Sequence, residues 1–187
     1  DGPYRWHFVE HHRAHEASAC LAAPFDDCAV LAIDGRGERA TASYGLYRDG
    51  RYRRLRQIDL PHSLGLLYEA VTAHLGFLHS SDEYKVMALA SYGQPLYAAA
   101  LARHVRWLGD GRLTVAPPDC DALFGAARER SAPLLQRHFD IARSLQQVLE
   151  DTVLHMAQWL HDVTQSPNLA LAGGVALNCV MNARLRD

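Results

Sequence analysis

Two periods run through the apolar and polar positions of this chain. Cys28 to Ile33 (CAVLAI) is an unbroken apolar run, as in a strand buried on both faces. It ends in Asp34-Gly35-Arg36-Gly37, a turn that the glycines permit. Residues 40–47 and 51–58 read as two further strands joined at Arg48-Asp49-Gly50, where Asp-Gly is a strong hairpin signal. The second of these carries Arg51, Arg53, Arg54 and Arg56, read as a solvated strand face. From His62 the period lengthens. Leu64, Leu67, Tyr68, Val71 and Leu75 recur every three or four positions and Gly76 closes the element, so a helix is predicted. The longest helical pattern covers roughly 140–164, with Ile141, Leu145, Val148, Leu149, Val153, Met156, Leu160 and Val163 in one apolar stripe.

The remaining segments are shorter. Residues 4–10 (YRWHFVE) read as a strand and His11–Ala23 as a helix of about three turns stopped by Pro24. Residues 83–91 and 96–108 are expected to be helical, and Arg112 to Val115 a short strand. The stretch 116–138, with Pro117, Pro118 and Pro133, is expected to be the least regular. Asn168 to Leu171 reads as a buried strand, and Gly173-Gly174 turns into a last helix over 175–186. From Cys28 onward the order βββα…αβα is that of an α/β lobe.

Composition narrows the function classes. The 187 residues are 49% hydrophobic and 21% charged, with a formal net charge of −2, one domain's worth of globular material without the basic excess of a generic nucleic-acid binder. No apolar run is long enough to span a bilayer. Cysteines 20, 28, 120 and 179 show neither CxxC spacing nor disulfide density, which fits a reduced, cytoplasmic setting. The opening residues show neither an initiator Met nor a signal-peptide pattern, so the chain is expected to be part of a longer protein. Eighteen of the 19 basic residues are Arg. The lone Lys85 stands out within Ser81-Asp82-Glu83-Tyr84-Lys85-Val86-Met87, since Arg replaces a compact ammonium poorly.

Candidate chemistry concentrates in three places. In His11-His12-Arg13-Ala14-His15, His11 and His15 lie four apart and share a helix face, a spacing used by paired metal-binding histidines, while His12 points about 100° away. The helix begins there too, leaving N–H groups free for an anion that a metal recruits. Asp34 sits where a buried strand breaks. Two His and one carboxylate suit a non-haem iron or a similar divalent ion, although an Asp in a turn also bonds its own backbone. The Gly35/Gly37 and Gly173/Gly174/Asn178 turns each follow a buried strand, an arrangement that lets backbone N–H groups approach phosphate or ribose.

The ordered tracts HHRAHEASA, AIDGRGERAT, PHSLGLLYEAVTAHLGF, EYKVMALASYG and LAGGVALNCVMN resemble the O-carbamoyltransferases of nodulation-factor and antibiotic biosynthesis. These share a catalytic domain, of the actin/hexokinase/heat-shock-ATPase fold, with the proteins that form threonylcarbamoyladenosine on tRNA. The resemblance implies that carbamoyl phosphate and ATP yield a carbamoyl-adenylate, whose carbamoyl carbon an acceptor hydroxyl then attacks. It implies His11, His15 and Asp34 as ligands of a divalent metal, iron first. It puts Gly173, Gly174 and Asn178 toward adenosine and Gly35 and Gly37 toward phosphate. Glu83 and Lys85 are candidate catalytic residues for orientation or charge balance, and the general base is not assigned.

Residues 1–27 would end the first lobe and 28–187 would form the second, incomplete at both ends. The family's opening strands would precede residue 1. A further metal-binding Asp would follow residue 187, and a separate adenylate-forming domain would complete the protein, so the chain alone is expected to be inactive. Ala88 and Ser91 stand where similar proteins have Gly and Pro, a change that bears on a loop. The EYKVM tract and the paired His before Arg13 favour a small-molecule hydroxyl acceptor, with no membrane and no nucleic-acid partner. The alternatives are the tRNA-modifying branch and a non-catalytic nucleotide-binding lobe.

Overall fold

The computed structural model describes residues 2–187. It is a mixed α/β fold around a four-stranded sheet of order β3-β2-β1-β6, in which β1 is Asp27–Ile33, β2 Ala40–Arg48, β3 Arg51–Asp59 and β6 Leu169–Ala172. The first three strands are antiparallel neighbours, whereas β6 joins β1 in parallel. The β2–β3 turn follows from Asp49 and Gly50, both at positive φ (52° and 69°), as the right-handed strand twist requires.

The continuous apolar run of β1 has a direct cause, because both of its faces are covered. Ala29, Leu31 and Ile33 join the larger core with the long helix α6, Gln136–Thr164. Cys28 and Val30 point the other way, into a smaller core with Ala19 and Cys20 of helix α1, His11–Ala22. The alternation is the period of two of a strand, with apolar residues needed on both sides. The α6 stripe is buried from Ile141 to Leu160, but Val163 at the helix end is half exposed.

Several expectations are corrected. Residues 4–10 form no strand: they join no sheet among the described residues, and Tyr4, Trp6 and Phe8 stay exposed. Residues 96–108 are not one helix. A short helix α4 (Ala98–Ala102) gives way to strand β4 (Val105–Gly109), which pairs with β5 (Arg112–Val115) across Asp110 and Gly111, both left-handed. The turn wins there, because Val105 and Trp107 alternate with exposed Arg106 and Leu108 at period two. The irregular stretch contains helix α5 (Cys120–Phe124), capped by Asp119, whose Phe124 is buried, and α6 starts at Gln136. The terminal helix divides into a 3₁₀ turn, Gly174–Leu177, and α7, Cys179–Arg186.

The Arg face of β3 is also only partly solvated. Arg54 is turned onto α1, where its Nε meets the buried Glu16 Oε1 at 2.6 Å and its guanidinium reaches Glu10.

Two buried histidines anchor the start of α6 and its neighbour α2, Leu64–His74. Burial, with Arg137 and Arg128 nearby, lowers the His138 pKa from 6.5, and burial lowers that of His74 against the opposing pull of Asp121. His138 Nδ1 faces the Leu135 N–H at 2.9 Å and Nε2 faces Arg137 Nε at 3.1 Å. A neutral imidazole satisfies one such donor, and a doubly protonated ring satisfies neither. Since the folded state binds the proton less tightly than the unfolded chain, this stability is complete above pH 6.5 and is lost as pH falls through the lower folded values. The melting temperature should therefore drop on acidification below about pH 6.5, and His138→Gln, which keeps an acceptor and cannot charge, should flatten that drop. An unchanged pH profile in the variant would rule His138 out as its cause.

Candidate metal centre and adjoining cavity

The end of β1 and the first turn of α1 meet at one point. His11 Nε2 lies 2.7 Å from Asp34 Oδ2, His15 Nε2 lies 3.1 Å from the same oxygen, and the two Nε2 atoms are 3.0 Å apart. The shared oxygen can accept an N–H from each ring, and the same three ligand atoms lie close enough together to hold one metal ion. Donors about 2.1 Å from a common ion and at right angles to one another are separated by ~3 Å, so the three edges suit a facial His-His-carboxylate set better than wider tetrahedral spacing.

The carboxylate is fixed from behind. Asp34 Oδ1 accepts the Gly35 N–H at 2.8 Å and the Gly174 N–H at 3.2 Å, which leaves Oδ2 for the histidines. Burial would raise the Asp34 pKa, but hydrogen bonds from His11, the Gly35 N–H, His15 and the Gly174 N–H outweigh it and hold the carboxyl below the usual range. Gly173 makes that backbone approach possible. It sits at φ 94°, and a Cβ there would collide with the Ile33 carbonyl at the end of β1. At Gly174 a Cβ would stand 2.9 Å from Asp34 Oδ1.

His12 is fully buried, turned away from the Asp34 oxygen, and meets Ser43 Oγ at 3.3 Å, in keeping with its 100° offset. One expectation fails here. The first N–H of α1 is not free for an anion, because the Glu38 carboxylate accepts from His11 N at 3.1–3.2 Å.

Beside the triad opens a cavity of about 470 Å³ lined by Asp34, Gly35, Glu69, Glu83, Gly174 and Asn178 among others. Of the residues singled out in the sequence, Gly35, Gly174, Asn178 and Glu83 lie on its wall. Gly37 packs under His11 and His12 instead, and Gly173 supports the wall from behind. Lys85 is outside the lining, with Nζ paired to Asp82 at 2.9 Å. The Asn178 side chain is committed to the fold. Its Oδ1 caps α7 through the Met181 N–H, and it exchanges hydrogen bonds with buried Gln146, which also accepts from Tyr68. Sequence reading missed Glu69 and Ser80, which also line the cavity.

Residues 5–187 match the family described as Carbamoyltransferase N-terminus. An uncharacterized protein of Synechocystis sp. is 43% identical over 95% of this chain. The nodulation proteins NolNO of Sinorhizobium fredii and NolO of Bradyrhizobium diazoefficiens are 33% and 34% identical over 98% and 95% of it. The chain spans 31%, 27% and 33% of the lengths of these three relatives. With a match along nearly its whole length, the chain belongs to the carbamoyltransferase N-terminus family.

Proposed function

We propose that this chain is the metal-holding, nucleotide-facing part of an O-carbamoyltransferase that passes a carbamoyl group, through a carbamoyl-adenylate made from carbamoyl phosphate and ATP, to a hydroxyl of a small molecule. The observation that carries this reading is the convergence of His11 Nε2, His15 Nε2 and Asp34 Oδ2, with edges of 2.7–3.1 Å, at the rim of a cavity in a chain of this family. On this reading residues 1–27 close the first lobe of an actin/hexokinase/heat-shock-ATPase-like fold, residues 28–187 belong to the second, and the protein works in the cytoplasm.

The donor set fits a divalent ion, iron first, held by His11, His15 and Asp34. When bound, it would act as a Lewis acid toward the carbamoyl or phosphate oxygen. The chain's own contributions are positional. The Gly35 and Gly174 N–H groups fix the carboxylate, and that glycine-rich junction lets an adenylate approach the backbone closely. Glu83 on the cavity wall would orient the adenylate, with Ser80 N donating to its Oε1 at 2.7 Å. Lys85 would act only by holding Asp82, which accepts the Leu78 N–H and so shapes the same loop. The small-molecule acceptor rests on the resemblance to the O-carbamoyltransferases of nodulation-factor and antibiotic biosynthesis, and two of the relatives are nodulation proteins.

The test is metal content of the untagged chain purified anaerobically, beside a His11→Ala/His15→Ala variant. Near-stoichiometric iron or another divalent ion in the parent and none in the variant is expected. If reconstitution with Fe(II), Mn(II) or Zn(II) leaves both this chain and the whole protein that carries it as empty as the variant, the metal reading fails.

A further inference from the structure

The cavity holds three carboxylates, and their bonds and positions distinguish them. Asp34 has both oxygens committed, Oδ2 to the histidines and Oδ1 to two backbone N–H groups. Glu83 is tied through Oε1 to the Ser80 N–H at the start of α3, Glu83–Leu89. Glu83 Oε2 has no hydrogen-bond partner among the described residues, and Glu69, on α2, likewise keeps one oxygen free. Its Oε2 accepts from Ser80 Oγ at 3.0 Å, while Oε1 has no hydrogen-bond partner among the described residues.

That free oxygen faces the turn that carries Asp34, 3.2 Å from where a Cβ at Gly35 would stand. The Glu69 side chain is 20% exposed and borders the cavity. Its position is fixed from two directions. The start of α2 is locked on the same turn, since Ser63 Oγ donates to the Gly35 carbonyl at 2.6 Å and Gly65 packs on Gly35 with no room for a Cβ. Ser80 holds the other oxygen from a left-handed backbone, φ 61°, a conformation costly for a residue other than glycine and kept where the surroundings dictate it. In that conformation its N–H reaches Glu83 and its hydroxyl reaches Glu69.

Glu83 also keeps an oxygen free, but Glu69 Oε1 is the carboxylate oxygen that stands against the Gly35 turn, and His79, 3.9 Å from Glu69 Oε2, is largely exposed. His11 and His15 face Asp34, Tyr68 donates to Gln146, and Tyr84 is largely exposed. We propose that Glu69 is the general base of the transfer step, taking the proton of the attacking hydroxyl at Oε1, with Ser80 as its positioning residue. This rests on the carbamoyl-transfer reading above. The hydroxyl oxygen forms a bond to the carbamoyl carbon as its proton passes to Glu69. The bond from that carbon to the adenylate phosphate oxygen breaks, AMP leaves with the electron pair, and Glu69 returns the proton to solvent. A neutral hydroxyl is a weak nucleophile, and a placed base accelerates its attack by about 10²–10⁴-fold.

The test uses the whole protein that carries this chain, supplied with metal, carbamoyl phosphate and ATP. Two nucleophiles are compared in single turnovers: water, as the smallest hydroxyl, and hydroxylamine, which attacks without a base. Glu69→Gln should release pyrophosphate as the parent does, trap hydroxyurea from hydroxylamine at the parent rate, and release AMP to water ~10²–10⁴-fold more slowly. Metal content of the variant should be unchanged, and formate should restore part of the water reaction to Glu69→Ala. Ser80→Ala should slow the water reaction and spare the hydroxylamine one. Equal loss with both nucleophiles, or no loss with water, would overturn the assignment. A parent protein that makes no carbamoyl-adenylate would instead sink the carbamoyl-transfer reading itself.

Discussion

Asp34→Asn should cost the chain at least ~100-fold in affinity for a divalent ion while leaving its fold intact, a larger effect than the 10–100-fold typical of an outer-shell change. The amide keeps an oxygen in place of Oδ1, so the Gly35 and Gly174 N–H groups retain their acceptor. What changes is the other atom. An NH₂ group replaces Oδ2 at 2.7 and 3.1 Å from the two imidazole nitrogens, removing the negative charge and offering a donor where a ligand is required. Competition against a chelating indicator gives the affinity, and circular dichroism with a thermal melt gives the fold. An Asn variant that binds as tightly as its parent would mean that Asp34 is only the turn-forming residue that its place after β1 also allows.

Arg54→Met is expected to destabilise the chain by about 3–5 kcal/mol, the usual cost of breaking a buried ion pair from one side. Glu16 carries the loss. Its side chain is 1% exposed, its Oε1 is bonded to Arg54 Nε at 2.6 Å, and its buried Oε2 already lacks a hydrogen-bond partner. Arg13, the other nearby cation, is half exposed and 3.7 Å away, a weak replacement. Removing both charges as Arg54→Met/Glu16→Leu should recover most of the stability, because two apolar groups leave no charge to desolvate. Urea melts of the two single variants and the double variant measure the coupling. Purely additive losses would show that the pair is not the cause.

The sequence displays the elements whose signal is local. β1 is legible because six consecutive apolar residues between Asp27 and Asp34 fit a strand covered on both sides, and α6 because its stripe repeats over about six turns. The His11/His15 pair is legible for the same reason, four residues on one helix, and Asp34 because the strand visibly ends there. Hidden features depend on partners distant in sequence. Val105–Gly109 looks helical until the left-handed Gly109-Asp110-Gly111 turn folds it onto Arg112–Val115. Residues 4–10 carry a strand's pattern but join no sheet among the described residues. Arg54 reads as solvated because nothing local reveals Glu16 across the sheet. Glu69 lies within the PHSLGLLYEAVTAHLGF tract, but nothing local marks it for a role. It is one polar residue beside the α2 stripe, and only the approach of Ser80 and the Gly35 turn gives it a place.

The parallel pairing of β1 with β6 bears on how the chain reaches this state. His11, His15 and Asp34 lie within 23 residues of one another, so their side chains can gather over a short loop. The Gly174 N–H that steadies Asp34 Oδ1 is 140 residues further along and arrives only when β6 docks. Closing so long a loop is slow, and contacts of such separation form late in folding. A folding chain would therefore pass through a stage in which the two histidines and the aspartate are assembled but loosely held, and capture of the ion would tighten only as the last strand takes its place.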